Sequence, residues 1–186
     1  MIPLSRIEDI ESLYAARGGL HYGEGVTQIE HALQCADIVE EQGAAPSLIA
    51  AALLHDIGHL FESDEDAAQL GIDDRHETSG AKALAGLFGE AVWKPVALHV
   101  AAKRYLCLRE PDYFAALSPA SKTSLELQGG AFDAVKAAAF EKLPSWREAV
   151  ALRRADDAGK CAEPSRRSFA DFTPLLRGLL MDASRP

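Results

Sequence analysis

The most constraining feature of this sequence is an apolar run that leads directly into two ionisable residues. Residues 48–54 are all apolar, and His55 and Asp56 follow them. A segment that is apolar on every side predicts a helix buried all round, with Pro46 at its start and Gly58 after its end. A histidine and an aspartate at the end of a buried helix are costly unless they are paired or bind a metal ion. The run therefore predicts a polar centre inside an apolar core.

Helical patterns recur along the rest of the chain, whereas strand patterns do not. Ser118 and Pro119 mark one helix start, because serine caps a helix and proline fits its first position. We expect helices over residues 29–39, 46–54, 76–88, 92–106, 118–127, 146–158 and 172–181, and an acidic loop over 64–74. A chain of 186 residues is long enough to bury one core. The sequence therefore predicts an all-α, single-domain helical bundle.

Composition argues against several classes of protein. The net charge of -9 disfavours a nucleic-acid partner, and no apolar stretch approaches the roughly 20 residues of a membrane span. The beginning of the chain lacks the layout of a signal peptide. The three cysteines, Cys35, Cys107 and Cys161, have neither CxxC nor metal-ligand spacing. We expect a reduced, cytoplasmic protein, monomeric or weakly oligomeric, without a nucleic-acid or membrane partner.

The charge is unevenly distributed along the chain. Residues 1–100 hold 5 basic and 17 acidic side chains, whereas residues 101–154 hold 9 basic and 6 acidic ones. Two explanations remain open for this difference. It is either chance variation over solvated surfaces or a local anion site in the middle segment.

Further ionisable residues fall on the predicted helices around the buried one. His31 lies on the preceding helix, His76 opens the following helix, and His99 lies on the next. Asp156 lies on a late helix, and His59 follows the buried run closely. Imidazole and carboxylate ligands suit iron, manganese or zinc, and the sequence does not choose among the three. So many histidines around one apolar segment favour a metal centre over separate core or surface histidines.

The order of these histidines and aspartates resembles the ligand pattern of the HD-domain superfamily. The resemblance implies an HD-domain helical catalytic domain over residues 1–160. A C-terminal loop and short helix over residues 161–186 are expected to pack on it. In dinuclear members of the superfamily, the ligands come from separate helices of the bundle. The implied ligands are His31, His55 and Asp156 for one ion, His76 and His99 for the second, and Asp56 as the bridge between them.

Most HD-domain proteins hydrolyse phosphate esters, but the details of this chain resemble a different branch. Many cyclic-dinucleotide phosphodiesterases, and also myo-inositol oxygenase, carry a lysine where this chain has His59. A longer likeness, over about residues 20–160, is to PhnZ-type enzymes. These are mixed-valent di-iron oxygenases that cleave the carbon–phosphorus bond of 1-hydroxyphosphonates. The segments that carry the likeness include residues 28–31, 99–106, 117–122 and 127–130.

The same resemblance implies a phosphonate-binding set, and helix geometry agrees with it. Lys103 is four residues after His99, so both lie on one helix face. Arg153 is likewise three residues before Asp156, and Ser121 lies in the first turn of a helix, where free N–H groups favour anions. The implied phosphonate contacts are Lys103, Ser121, Gln128 and Arg153.

The resemblance implies less about the residues near position 20. Glu24 matches a glutamate that occupies an iron site until the substrate displaces it. The tyrosine that partners this glutamate in the family falls on His21, with Tyr22 one place away. Tyr22, Glu24 and His59 are the candidate catalytic residues. His59 is also a candidate substrate contact rather than a metal ligand.

The implied enzyme uses two iron ions in a mixed Fe(II)/Fe(III) state, dioxygen as co-substrate and a small hydroxyphosphonate as substrate. Tyr22 and Glu24 offer an aromatic ring and a carboxylate, which suit a quaternary ammonium group. They favour (R)-1-hydroxy-2-(trimethylammonio)ethylphosphonate, giving glycine betaine and phosphate, over 2-amino-1-hydroxyethylphosphonate, giving glycine. Two other functions remain open: a metal-dependent hydrolase of a small phosphate ester or nucleotide, and a binding protein that keeps the site for folding.

Overall fold

The computed structural model describes residues 4–21, 25–61 and 75–181, and the regular secondary structure in these ranges is helical. These ranges also contain two isolated β-bridges, one between His21 and Thr27 and one between Phe88 and Leu180. The prediction of a single all-α domain is confirmed. The helices are α1 (Ile7–Arg17), α2 (Gln28–Glu41), α3 (Pro46–Leu54), α4 (His76–Leu84), α5 (Glu90–Arg109), α6 (Tyr113–Ala116), α7 (Pro119–Leu127), α8 (Ala134–Phe140), α9 (Trp146–Ala158) and α10 (Phe169–Gly178), with a 3₁₀ turn at Ile57–Phe61.

The apolar run of the sequence forms α3, which lies at the centre of the molecule. Pro46 stands at its first position, and Leu53 and Leu54 are fully buried. Helices α2, α5, α9 and α10 pack around α3. Burial of each leucine contributes about 1.5–3 kcal/mol relative to an exposed side chain. Because α3 ends at Leu54, the next residue, His55, enters the core with its ring fully buried.

The helices around α3 bring the candidate site residues to its C-terminal end. His31 lies in the first turn of α2, which Thr27 caps by accepting a hydrogen bond from the backbone N–H of Glu30. His76 is the first residue of α4, and His99 lies within α5. Asp156 lies near the end of α9, which packs closely on both α5 and α2.

Some helix boundaries differ from those expected. Helix α4 ends at Leu84, not at Phe88, because the N–H groups of Leu87 and Phe88 both bond the Leu84 carbonyl and turn the chain. Helix α10 starts at Phe169, three residues earlier than expected, behind a capping box that Ser168 makes with Asp171. Helices α1, α6 and α8 were not predicted. The acidic loop over residues 64–74 lies outside the described residues.

The final helix is fixed against the first. Phe172 and Leu176 of α10 are buried in the main core. Thr173 donates a hydrogen bond to Glu11 over 2.6 Å, and Arg177 bonds Glu8 over 2.6 Å. The division of the chain at residue 160 stays a prediction. Among the helices of the described residues, none has both the length and the apolar character that a membrane span needs.

A close backbone approach joins the 3₁₀ turn to the start of α4. A Cβ atom added at Gly58 would lie 2.0 Å from the carbonyl oxygen of His76 and 2.7 Å from its Cα. Gly80 of α4 approaches the same turn, where an added Cβ would lie 3.2 Å from the Gly58 nitrogen. Only glycine at position 58 lets α4 come this close. The approach places His76 beside the end of α3.

We therefore predict that Gly58→Ala lowers the free energy of unfolding by about 3 kcal/mol or more, since its contact is with backbone that cannot move aside. Urea denaturation measures the change. The matched control is Gly178→Ala in α10, where an added Cβ meets nothing within 4 Å. We expect that variant to stay within about 1 kcal/mol of the parent, because alanine favours helix. A Gly58→Ala protein as stable as the control would contradict the close approach.

Candidate active site

The carboxylate of Asp56 lies between two pairs of histidines. Its Oδ2 atom is 3.3 Å from His55 Nε2 and 3.6 Å from His31 Nε2. Its Oδ1 atom is 3.5 Å from His76 Nε2 and 3.6 Å from His99 Nε2. Each carboxylate oxygen therefore faces its own pair of imidazole nitrogens.

Asp156 joins the pair on the Oδ2 side. Its Oδ1 atom is 3.4 Å from His31 Nε2, and its Oδ2 atom is 3.9 Å from His55 Nε2. The structure thus brings together all six residues that the sequence analysis singles out as metal ligands. Each of the six is buried: His31, His55, Asp56, His76, His99 and Asp156.

Backbone hydrogen bonds orient three of the histidines. The Nδ1 atoms of His31, His55 and His99 lie 2.7–2.8 Å from backbone carbonyls, which accept only from a protonated nitrogen. These bonds place the proton on Nδ1 and leave Nε2 as the electron-pair donor that faces Asp56. Such bonds commonly fix the tautomer of histidines that bind metal. The accepting carbonyls belong to Gly159, Ala52 and Val96, respectively.

Two polar atoms of the cluster have no hydrogen-bond partner among the described residues. They are His55 Nε2 and Asp56 Oδ1, both fully buried. A buried polar atom without a partner costs about 1–3 kcal/mol, and a metal ion on each side of Asp56 would satisfy both. In addition, His76 Nε2 and His99 Nε2 are 3.1 Å apart. Two nitrogens bound to one ion at about 2.1 Å are roughly 3.0–3.4 Å apart, so the donor set fits two metal ions.

The electrostatics of the cluster also suit metal binding. Burial opposes ionisation of Asp56, but His55 outweighs it and holds the pKa of Asp56 well below its ordinary value. Burial similarly opposes ionisation of Asp156, and the Arg153 guanidinium outweighs it and lowers that pKa. Burial, together with His76, lowers the pKa of His99 well below its usual range. Ionised carboxylates and neutral imidazoles are the forms that coordinate metals. Burial lowers the pKa values of His31 and His55, but nearby acidic groups outweigh it and raise them to about 10 and about 9, so a metal ion would displace a proton from each.

A cysteine lies directly behind this cluster. Cys35, one turn after His31 on α2, is fully buried, and its Sγ atom is 3.7 Å from His31 Nδ1. The thiol donates to the carbonyl of Ala155 over 3.5 Å, and burial raises its pKa. The sequence analysis gave Cys35 no role because its spacing matches no cysteine motif. A cysteine four residues after a histidine lies on the same helix face, so the spacing of Cys35 from His31 could have predicted its position next to the cluster.

The anion-binding residues inferred from the sequence all have buried side-chain atoms. Lys103 is buried and its ammonium donates to Ser124 Oγ over 2.8 Å. Ser121 is buried in the first turn of α7, where its N–H bonds the Oγ of the capping residue Ser118. Gln128 follows the last turn of α7, and its Oε1 atom is buried with no hydrogen-bond partner in the described part of the chain.

Arg153 is held by acidic and phenolic partners. Its Nη1 atom bonds Asp156 Oδ2 over 2.6 Å, its Nη2 atom bonds Asp157, and its Nε atom donates to the Tyr113 hydroxyl over 3.0 Å. The Tyr113 hydroxyl in turn donates to Asp157 over 2.5 Å. Sequence spacing alone presented Arg153 as a cation near the metals. The structure adds that it orients Asp156, one member of the cluster.

The loop after Gln128 is fixed by Arg104. The Nε atom of Arg104 donates to the Gly130 carbonyl over 2.7 Å, and its Nη2 atom donates to the Gly129 carbonyl over 3.0 Å. Both glycines have positive φ angles, 89° and 69°, which other residues adopt with difficulty. The guanidinium also lies over the ring of Phe132 at 4.7 Å. This anchoring sets the end of α7 and hence the position of Gln128.

Of the three candidate catalytic residues, His59 lies in the described part of the chain. The ring of His59 stacks on that of His76, with centroids 3.9 Å apart. Tyr22 and Glu24 lie outside the described residues. Four further residues of the site were not predicted from the sequence. Each of them either lies at helical spacing from a predicted site residue or contacts one of the predicted site residues. These are Tyr113, Ser124, Asp157 and Lys160.

Comparison with known proteins gives matches over most of the chain. The HD domain family model matches residues 29–157. The hydroxymethylphosphonate dioxygenase of Gimesia maris is 48% identical over 160 residues, which cover 85% of this chain and 80% of that protein. The glycine-betaine-forming [1-hydroxy-2-(trimethylamino)ethyl]phosphonate dioxygenase of Leisingera caerulea is 42% identical over 176 residues, covering 94% and 90%. An uncharacterized protein of Acanthamoeba polyphaga mimivirus is 34% identical over 185 residues, covering 97% and 84%. The resemblance inferred from the sequence is confirmed.

The buried ammonium group of Lys103 predicts that the stability of the folded protein has an unusual dependence on pH. Burial, with a further contribution from Arg153, lowers the pKa of Lys103 to about 7 from 10.5. Between these values the unfolded chain binds more protons than the folded chain, so stability rises with pH. Below pH 7 the full cost of burying the ammonium is present. Lys103→Met should therefore be more stable than the parent at pH 6.5, by about 1 kcal/mol or more.

Urea denaturation at pH 6.5, 8 and 9.5, with equal metal content, measures this difference. We expect it to shrink as the pH rises, because the parent then loses its buried charge. After the substitution the Ser124 hydroxyl can still donate to the Ser121 carbonyl, so loss of the Lys103 ammonium does not leave that hydroxyl without a partner. The control is Lys136→Met, at an exposed lysine of α8. A Lys103→Met protein that is less stable than the parent at pH 6.5 would contradict the buried-ammonium interpretation.

Proposed function

We propose that this chain, which belongs to the HD-domain family, is a dioxygenase that cleaves the carbon–phosphorus bond of a 1-hydroxyphosphonate. The observation that carries the proposal is the Asp56 carboxylate between two pairs of buried histidines, with buried cations beside it. The names of two relatives that align over most of the chain support the same reaction.

We assign the six buried histidines and aspartates to two iron ions. Asp56 would bind both ions, since each of its oxygens faces a different histidine pair. Zinc has no redox chemistry, so a reaction with dioxygen favours iron among the metals that suit these ligands. When bound, a mixed Fe(II)/Fe(III) pair would supply the electron transfer to dioxygen and chelate the substrate oxygens. The remaining ligands would be His31, His55 and Asp156 for one ion and His76 and His99 for the other.

The named substrates of the two relatives share one chemical unit, a hydroxyl group on the carbon that is bonded to phosphorus. The proposed reaction breaks that C–P bond and one C–H bond, and dioxygen takes up the four electrons. One oxygen atom completes a carboxylate on the carbon, and the other completes phosphate. One proton is released. With hydroxymethylphosphonate the carbon product would be formate.

The chain's own residues would bind and orient the phosphonate. Lys103 and Ser121 lie buried beside the cluster, and the Gln128 Oε1 atom marks a buried polar position that no described residue satisfies. A phosphonate anion would stabilise the charged form of Lys103, whose pKa of about 7 keeps it close to its point of protonation. Because these side chains are buried, their contacts would act in a medium of low dielectric, where they would position the substrate strongly.

Arg153 would contact both Asp156 and the phosphonate. It bonds Asp156 directly, and Asp157 and Tyr113 hold its guanidinium in place. We propose that it aligns Asp156 on the metal and presents its remaining edge to the phosphonate. His59, stacked on His76, would border the substrate. The roles of Tyr22 and Glu24, and the preference for the trimethylammonio substrate that rests on them, stay predictions.

The proposal predicts that anaerobically prepared, iron-loaded protein consumes dioxygen and releases phosphate in equal amounts from a hydroxyphosphonate. An oxygen electrode with a phosphate assay measures both, with hydroxymethylphosphonate and the trimethylammonio compound offered in competition. Asp56→Asn should lose bound iron and turnover together, because one carboxylate serves both ions. Asp133→Asn, at an exposed cap of α8, is the matched control and should keep both.

Two results would contradict the proposal. One is phosphate release from a phosphate ester without oxygen uptake, combined with no turnover of either hydroxyphosphonate. That outcome would point to the hydrolase instead. The other is an Asp56→Asn protein with both ions and an unchanged rate.

A further inference from the structure

The turn that follows α9 carries the carbonyl that orients His31. Gly159 comes directly after the last residue of α9, and its carbonyl oxygen lies 2.7 Å from His31 Nδ1. The two residues are 128 positions apart in the chain. By contrast, the carbonyls that orient His55 and His99 belong to residues only three positions earlier. Of these three histidines, His31 therefore takes its orientation from a distant part of the chain, and the contact depends on how the turn is held against α2.

A buried glutamine on α2 binds the same turn a second time. The Nε2 atom of Gln34 donates to the carbonyls of Cys161 and Glu163 over 2.9 and 3.0 Å, and its Oε1 atom accepts from the Cys161 N–H over 2.9 Å. Both amide protons of this side chain are thus used. Gln34 is 8% exposed and lies three residues after His31, so the two side chains are neighbours on α2. Helix α2 holds the turn at two points, at Gly159 through His31 and at Cys161 through Gln34.

A cysteine of α2 limits how closely the turn can approach. Cys35 is fully buried, and a Cβ atom added at Gly159 would lie 2.6 Å from its Sγ atom and 3.2 Å from its backbone nitrogen. Glycine at position 159 therefore lets the turn come close enough for its carbonyl to meet His31. The φ angle of Gly159 is -77°, which any residue adopts. Alanine at this position would displace the turn through contact and not through backbone strain.

The segment beyond the turn has a separate attachment to α2. The Ser165 hydroxyl donates to Asp37 over 2.7 Å, and the Ser165 N–H donates to Glu30 over 3.1 Å. The Nε atom of Arg167 also donates to Asp37 over 2.8 Å. Because these bonds do not involve Gln34, they would keep the segment folded on α2 when Gln34 is changed. The role of Gln34 at the turn can therefore be tested in a folded protein.

We propose that Gln34 is a positioning residue for the metal centre, which holds the turn so that the Gly159 carbonyl keeps His31 in its ligating orientation. Loss of this hold would remove a constraint on the imidazole and would weaken the ion that the proposed function assigns to His31. The ion assigned to His76 and His99 would be unaffected, since a carbonyl of its own helix orients His99. The inference rests on the proposed function for the identity of the two ions, and it predicts that they respond unequally.

The test uses zinc alone as the probe, added to metal-free protein with isotope-labelled histidines in the presence of a competing chelator. The nitrogen resonances of His31 and His99 report the two sites separately by NMR. Gln34→Met keeps the length of the side chain and removes its three hydrogen bonds. We expect about 10-fold weaker zinc binding at His31, the lower end of the loss typical when the partner of a ligating histidine is removed, and no change at His99. The Nδ1 proton of His31 should also exchange faster with solvent. The matched control, Gln42→Met at the exposed C-cap of α2, should change neither.

A second set of variants acts on the turn from its other side. Gly159→Ala should also weaken zinc at His31 and not at His99, because the new methyl group meets Cys35 Sγ. Adding Cys35→Ala to Gly159→Ala should restore part of the affinity, because it removes the sulfur atom that the methyl group meets. If these substitutions acted only by lowering stability, the double variant would bind zinc more weakly than Gly159→Ala.

Two results would overturn the inference. The first is a Gln34→Met protein whose zinc affinity at His31 equals that of the parent. The second is an equal loss of zinc affinity at His31 and His99, which would show that Gln34 supports the fold as a whole. Oxygen uptake separates this test from that of the proposed function. A parent protein that oxidises no hydroxyphosphonate would refute the function, while the zinc affinities and the exchange of the His31 proton would still decide the role of Gln34.

Discussion

The structure depends on how a buried carboxylate is compensated. Asp56 lies at the end of the central helix, where an unpaired charge would cost several kcal/mol, on the order of the whole stability of a domain. Four imidazoles converge on its two oxygens from α2, α4, α5 and the end of α3. Each surrounding helix therefore has to reach the same point. The close approach at Gly58 and the backbone bonds to the Nδ1 atoms are the local devices that achieve this.

The network of charges that compensates this carboxylate extends outward from the cluster to the proposed anion-binding residues. Asp156 faces the histidines with one side and the Arg153 guanidinium with the other. Arg153 is held by Asp157 and Tyr113, and Lys160 approaches Asp156 from the end of α9. The proposed metal ligands and the proposed anion-binding cations thus form one connected network. In such a network the charge of a bound phosphonate is felt at the metals, which couples substrate binding to the chemistry proposed there.

Much of this arrangement could be predicted from the sequence. The apolar run before His55 specified a buried helix, and the resemblance to the HD-domain pattern pointed to the proposed ligands on the later helices. The helix start at Ser118 and Pro119 was placed correctly, whereas the start of α10 was missed although Ser168 and Asp171 form a capping box there. The ends of α4 and α10 were not placed correctly, because tertiary contacts decide them: Phe88 pairs with Leu180. Lys160 was passed over because it follows the end of α9, although it lies four residues after Asp156.

The central claim is that Asp56 bridges two metal ions. The most direct measurement is a crystal structure of the iron-loaded protein, prepared without oxygen, with anomalous diffraction recorded at the iron absorption edge. If Asp56 bridges two ions, two anomalous peaks are expected, one on each side of its carboxylate. One should lie among His31, His55 and Asp156 and the other between His76 and His99. A single peak, or two peaks that do not share Asp56, would contradict it.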